Sequence, residues 1–339
     1  MISTAKLQHP FSSIKKSWPQ TLMSNDYRVC LVPIGDINVL KKRWVNIEAK
    51  ANCSFFLSWY WIESWLNTYQ PKCKLIVIEF EKEIVGLAII STVAEIRYQF
   101  IHSNKAHVHQ TGIATQDQIW IEYNDILSST KHYPQVCEQV IKYFQAETKL
   151  DELVFNGLLE EKASFFESRS LCNLQVQWQS PTYNVDLKAL QITHKDYLLS
   201  LSKNTRYQIK RSQKEFNKLG EITLSKAESA EQALTFFHNI APLHIKRWGK
   251  ESGFYNTDFI NFHKELIKSN WNKGVVHLWR MQINDQDLGY FYNFIYNNEV
   301  YFYLGGMQFF ENSKLKPGLL GHALCIQYYL ENDYSKYDF

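Results

Sequence analysis

Between residues 274 and 306 the chain reads GVVHLWRMQINDQDLGYFYNFIYNNEVYFYLGG, three β-branched and aromatic runs broken only at Asn284-Asp285 and Asn297-Asn298. Asn and Asp tolerate the left-handed backbone of tight hairpin turns. The stretch is therefore confined to an antiparallel three-stranded meander. Around it the pattern reads strand 221–227, helix 229–248 with an expected kink at Pro242, and helix 258–271. After it, YLGGMQFFENSKLKPGLLGHALC (303–325) passes from a strand through a Gly-Gly pair, two lysines and a Pro-Gly into a helix over 318–332. YDF (337–339) begins a further strand.

The first half has the same order. Helices are expected over 38–50 (Leu40, Trp44, Val45, Ile47) and 58–69, the latter with Ser58 as N-cap and Trp61, Ile62, Trp65 and Leu66 on one face. A hairpin follows over 74–93, turning at Glu81-Lys82-Glu83, then a strand over 117–127, a helix over 133–149 with Pro134 in its first turn, and a strand over 151–158. The repeated order predicts a duplicated α/β fold with mixed sheets, although no close residue-level repeat is visible. Residues 1–27 read as a polar, poorly ordered arm, 28–190 as one domain and 191–339 as a second.

A length of 339 residues favours two domains, and an apolar share of 45% supports a sizeable core. A net charge of +3 does not fit a general nucleic-acid binder. The six cysteines, at 30, 53, 73, 137, 172 and 325, form no Cys-x-x-Cys pair, which predicts a reducing compartment and no disulfide framework or zinc site. The first twenty residues lack an apolar segment of signal-peptide length, and no run approaches a membrane span. A cytoplasmic protein is expected, with loose association at the inner face of a membrane as an alternative. His102, His107 and His109 in HSNKAHVH are read as a surface loop rather than a metal site. Glu122 and Asp125 are candidate bases, though a structural cap is the simpler reading. There is no P-loop, dinucleotide fingerprint or nucleophile triad.

Residues 200–220 predict a helix with Ile209, Phe216 and Leu219 on an apolar stripe, and Lys203, Arg206, Lys210 and Lys214 on a basic one, ended by Gly220. That basic stripe suits an anionic donor such as a tRNA acceptor stem, an acidic lipid surface, or simply solvent. His244, Arg247 and Trp248 share a helical face that could orient an acceptor, or pack as a helix-end cluster.

The set SLSKNTRYQIKRS, HIKRWGKESGF and YLGGMQFF…KPGLL…YDF resembles GNAT-superfamily acyltransferases of the cellulose-biosynthesis CelD-like type, relatives of the FemAB peptidyltransferases. The resemblance covers roughly residues 38–339 and is strongest from 200 onward. It implies two tandem GNAT-like domains, with the donor site in the second. It also implies direct transfer of an acyl group, acetyl above all, from acyl-CoA to an amine or hydroxyl of a sugar or envelope-polysaccharide precursor, with no metal. On it, Gly305, Gly306, Met307, Lys314, Lys316, Pro317 and Gly318 would hold the donor, with its phosphates on the helix N-terminus. His244 and Tyr303 would be catalytic, and Arg206, Lys210, Arg211, Arg247 and Trp248 would bind substrate. Aminoacyl transfer from charged tRNA and a catalytically inactive scaffold are the alternatives. The chain stops at Phe339 inside the fifth strand, where the family continues with a further helix and closing strands. Either the product is truncated or another segment completes the sheet.

Overall fold

The computed structural model describes residues 2–6, 21–24, 26–97, 100–146, 149–168 and 172–339. It divides into two compact units, Met1–Ser180 and Pro181–Phe339. The division precedes the expected boundary near 190 because the segment after Pro181 supplies a strand to the second sheet.

The first unit contains β1 (Ile2–Lys6), β2 (Thr21–Ser24), β3 (Tyr27–Pro33), α1 (Ile37–Glu48), α2 (Trp59–Tyr69), β4 (Cys73–Phe80), β5 (Glu83–Arg97) and β6 (Ile101–Val108). There follow α3 (Ala114–Asp117), β7 (Leu127–Ser128), α4 (Tyr133–Ala146), β8 (Glu152–Asn156), α5 (Glu160–Ser168) and β9 (Asn173–Trp178). The sheet runs β2-β3-β4-β5-β6-β8-β1-β9, with β7 on β5. The β4–β5 turn uses positive φ at Glu81 and Lys82, as a tight hairpin requires. Asp36 caps α1 by accepting from Asn38 N–H, whereas the Ser58 hydroxyl donates to Phe55 C=O and does not cap α2.

Three expectations fail here. Residues 2–6 and 21–24 are sheet strands rather than a loose arm, and 7–20 lie outside the described residues. HSNKAHVH falls in β6 up to Val108, paired with β5 on one side and β8 on the other, with Ser103, Ala106, Val108 and, just past the strand, His109 buried. Among the described residues no group of three His, Cys, Asp or Glu side chains could hold a metal ion. Residues 118–126 form a folded loop between α3 and β7 instead of a strand, although Ile119 and Ile121 are buried as the alternation demands.

The second unit contains β10 (Asn184–Asp186), α6 (Leu187–Ile192), α7 (Tyr197–Ser200), α8 (Lys203–Asn217), β11 (Ile222–Lys226), α9 (Ala230–Trp248) and α10 (Thr257–Asn270). It continues with β12 (Val276–Ile283), β13 (Gln286–Tyr296), β14 (Glu299–Met307), α11 (Pro317–Glu331) and β15 (Lys336–Asp338). Its sheet runs β10-β15-β14-β13-β12-β11. The meander is as expected, with positive φ at Asn284, Asn297 and Asn298. Helix α9 is continuous through Pro242. The terminal strand is not left unpaired: β15 lies parallel to β14 and antiparallel to β10.

The two sheets share one topology. In each, four antiparallel strands (β3–β6; β11–β14) are followed by a helix (α4; α11) and a strand parallel to the fourth (β8; β15), which then pairs antiparallel with the unit's first strand (β1; β10). The second unit carries α8 and α11 on one face, where Ile209, Phe216, Leu320 and Ile326 pack with Met281, Phe291 and Val300. On the other face, Phe237 of α9 and His263 of α10 meet the rings of Tyr292 and Tyr303. A Cβ at Gly321 would be driven into the Phe291 ring. Gly321→Ala is therefore expected to destabilise this unit by about 2 kcal/mol, read as a lower urea midpoint at unchanged slope.

Candidate active site

The C-terminal half of β14 fixes the geometry. Gln308 N–H donates to Leu288 C=O at 2.9 Å, and Met307 sits opposite Gly289, Gly306 opposite Tyr290 and Leu304 opposite Tyr292. In an antiparallel pair successive residues alternate between facing the partner and facing away. Gly306 and Leu304 therefore bond to β13, and the N–H groups of Gly305 and Met307 point to the opposite edge. There β15 pairs only with Glu299, Val300 and Tyr301. From Phe302 to Met307 that edge has no strand partner among the described residues. Between Phe302 and Leu304 the register shifts, so Tyr303 is an extra, bulged residue. Bulges of this kind end pairing and re-aim side chains.

The N-terminus of α11 lies against the same strand end. A Cβ at Gly318 would stand 3.6 Å from Met307 Cγ. Lys316, the N-cap, makes no side-chain cap; its own N–H donates to the buried Ser212 hydroxyl on α8 at 2.9 Å, and its C=O accepts from Leu320 N–H. Pro317 has no N–H. Two donors, Gly318 and Leu319, are thus left without intrahelical partners at the positive end of the helix dipole. No side chain stands closer to the Gly318 Cβ position than Met307, so the first turn is open to a ligand.

The proposed donor residues Gly305, Gly306, Met307, Pro317 and Gly318 are therefore brought together. Gly306 has a second task. A Cβ there would lie 2.8 Å from both Ile240 C=O and Leu243 Cβ, so only glycine lets α9 approach so closely. Of the lysines, Lys314 is exposed, while Lys316 Nζ donates to Gln208 Oε1 on α8 at 2.5 Å.

His244, next to Leu243 on α9, is buried. Its Nδ1 is 2.8 Å from the Ser252 hydroxyl. Burial, and then the Arg247 charge, lower its pKa, so the imidazole is neutral at neutral pH. Tyr303 is half-buried with its ring 4.9 Å from that of His263. His244 and Tyr303 are linked through the rings of Phe254, Phe259 and His263. Arg247 and Trp248 are exposed at the end of α9, the guanidinium 4.9 Å from the indole centroid. On α8, Lys210 is exposed, Arg206 reaches Leu199 C=O at 3.4 Å, and Arg211 stacks on Tyr207 with its Nε buried and unpartnered.

The sequence reading passed over His263, fully buried among aromatic rings with neither ring nitrogen hydrogen-bonded, and Ser212, which seats the α11 N-cap. Both carry weak signals: a histidine on an apolar helical face and a serine on the buried stripe of a basic helix.

The matching gap in the first unit is filled. Asn124, wholly buried, donates from Nδ2 to Val108 C=O at the end of β6 (2.9 Å) and from its N–H to Gly157 C=O just past β8 (3.2 Å). Its Oδ1 is 2.9 Å from His109 Nδ1. A Cβ at Gly157 would clash with Ile121 C=O, so the 119–124 loop is seated on that glycine. Asp125, a base candidate from sequence, accepts from Tyr133 OH at 3.0 Å and pairs with Lys162 at 3.5 Å, which is a structural network. The first unit thus has the same strands, with the end of β6 and the residues past β8 bridged by the Asn124 loop.

Residues 203–339 match a protein family described as "Acetyltransferase (GNAT) domain". The match begins at the first residue of α8. The crystal structure of FemX is similar, with a TM-score of 0.55 at 11% identity, covering 88% of this chain and 86% of that one. The C-terminal domain of a putative lysylphosphatidylglycerol synthetase from Agrobacterium fabrum gives a TM-score of 0.50 at 10% identity, covering 88% and 76%. At such identities the likeness concerns the fold. No curated protein sequence matches the chain.

Proposed function

We propose, for an acyltransferase whose residues 203–339 carry a GNAT domain, that an acyl-CoA is the donor and that it is held in the second unit alone. The acyl group, acetyl in the simplest case, would pass directly to an amine or hydroxyl of a sugar or cell-envelope precursor. The observation that carries this reading is the meeting of two sets of free backbone donors: Gly305 and Met307 on the unpartnered edge of β14, and Gly318 and Leu319 at the start of α11.

The residues divide the work as follows. The α11 N-terminus offers two N–H groups and a partial positive charge to the donor phosphates. Arg211 lies on the same α8 face as Gln208 and Ser212, which hold Lys316, and its unpartnered Nε adds a cation beside that site. The donor supplies a thioester carbonyl. The N–H groups of Gly305 and Met307 are fixed in the strand and can stabilise negative charge on that oxygen without reorganising. His244, neutral and oriented by Ser252, is suited to accept the proton that an acceptor amine loses. Arg247 and Trp248 present a cation and an aromatic face to the acceptor.

A second reading has its own observation. The outer face of α8 exposes Lys203, Lys210 and Lys214, with Glu215 the only acid in the helix, a footprint suited to a phosphate backbone. FemX and the lysylphosphatidylglycerol synthetase share the fold, and the latter's name points to aminoacyl chemistry. Thermal unfolding separates the two. On the first reading CoA raises the melting temperature of the second unit and uncharged tRNA does not. Stabilisation by tRNA alone, lost with Lys210→Glu and with added salt, would replace the first reading by the second.

A further inference from the structure

Helix α9 runs alongside β14 in the same direction. Phe237 meets Tyr292, which is opposite Leu304; Asn239 bonds Tyr290, opposite Gly306; and Ile240 and Leu243 lie on Gly306 itself. The last turn of α9 therefore projects past Met307. It emerges at the end of the sheet where the 308–316 loop begins and where α11 starts, 3.6 Å from Met307. Three large aromatic side chains stand out in solvent here, on the end of α9 (Trp248, 50% exposed), on the turn that follows it (Tyr255, 65%) and on the 308–316 loop (Phe309, 76%).

Their surroundings are cationic. Lys246, Arg247, Lys250 and Lys314 are exposed on the same segments, against Glu251 and Glu311. In a chain of net charge +3 this is a local excess. Arg247 stacks on Trp248, which holds the indole outward beside a charge. Exposed Trp, Tyr and Phe side chains on segments that also expose Lys and Arg suit the headgroup layer of a bilayer, where aromatic rings settle at the interface and cations meet anionic lipids. Among the described residues no helix is long and apolar enough to cross a membrane, so docking at the surface is the form of contact this end allows.

We propose that this end of the second unit docks on an anionic bilayer surface through Trp248, Tyr255 and Phe309 and the four cations around them, which places the mouth of the candidate active site at headgroup level. The purpose of docking, reaching an acceptor carried by a membrane lipid, rests on the acyltransferase reading; the docking itself does not.

Co-sedimentation of the full chain with phosphatidylcholine vesicles, with and without phosphatidylglycerol, tests it. Binding is expected only with the anionic lipid and should weaken with salt, because exposed charges are screened. Lys246→Glu/Lys250→Glu changes the charge by four units and, at roughly fivefold per unit, should lower the partition coefficient by roughly several hundredfold. Trp248→Ala/Phe309→Ala should weaken binding at all salt concentrations. Lys42→Glu, on an exposed cation of the first unit, should leave it unchanged. Failure to sediment with anionic vesicles at low salt overturns the proposal, as does equal loss with Lys42→Glu or no loss with either patch variant. The readout needs no turnover: if CoA still stabilises a protein that ignores vesicles, docking fails and the donor site stands.

Discussion

Acidification from about pH 7 to about pH 5 is expected to destabilise the second unit well before the first. Its buried and half-buried histidines are the cause. His277 is held to a pKa of about 3 by burial and by the Lys226 charge, His322 to about 4 by burial, and His263, with no hydrogen-bond partner, well below the usual imidazole value. Each is neutral in the folded protein and takes a proton readily once unfolded. For a lowered imidazole the unfolded state binds more protons, so stability is intact above the unfolded value and lost as pH falls toward the folded one. At pH 5 the loss is about 2 kcal/mol for a group such as His277. His322 and His263 act in the same direction, which brings the sum close to the whole stability of a typical domain. In the first unit His109, at about 4, and His107 act likewise, but Asp125 is raised to about 6 by burial and opposes them. A raised carboxyl binds its proton more tightly when folded, so its contribution falls as pH rises from about 4 to about 6. Hydrogen exchange read peptide by peptide should show α10, β12 and α11 losing protection first. His263→Phe should delay that loss, since it removes two unpartnered nitrogens from an aromatic cage. Equal loss in both units would contradict the account.

Replacing Gly318 by Asp should weaken CoA binding at least about 100-fold while leaving the fold intact. Only Met307 Cγ comes within 4 Å of the new Cβ, at 3.6 Å, so the side chain fits. A carboxylate in the first turn suits the helix dipole and should even raise the melting temperature of the free protein slightly. The same carboxylate occupies the anion site and repels phosphates. Loss of CoA-induced stabilisation with an unchanged or higher starting melting temperature is the expected pair of results. Retained stabilisation would mean that the phosphates lie elsewhere.

Those two predictions draw on features that were unequally legible in the sequence. The Pro317-Gly318 turn could be read because proline and glycine announce a helix start that needs close approach, and the Asn-rich turns announced the meander. The strand at residues 101–108 was hidden because His102 and Asn104 interrupt the apolar face of Ala106 and Val108; pairing on both sides makes it a strand. The opposite error occurred at 117–127. Ile119 and Ile121 alternate like a strand, yet Trp120 and Tyr123 take positive φ, and the loop is held by Asn124 and Gly157. The strand at Asn184–Asp186 is too short to signal itself, although it answers the question of what flanks the last strand. Tyr303's bulge and the unbonded edge of Gly305 and Met307 are properties of register, which depends on the partner strand and cannot be seen in either strand alone. The resemblance to GNAT enzymes was strongest from residue 200 onward, and the family match falls there, over residues 203–339.

The central claim, that four backbone N–H groups hold the donor, is open to a direct measurement: backbone amide chemical shifts of the labelled protein during titration with CoA. The account predicts that the largest changes fall on Gly305, Met307, Gly318 and Leu319, with the residues around Asn124 unmoved. Changes concentrated elsewhere, or a spectrum that does not respond to CoA, would contradict it.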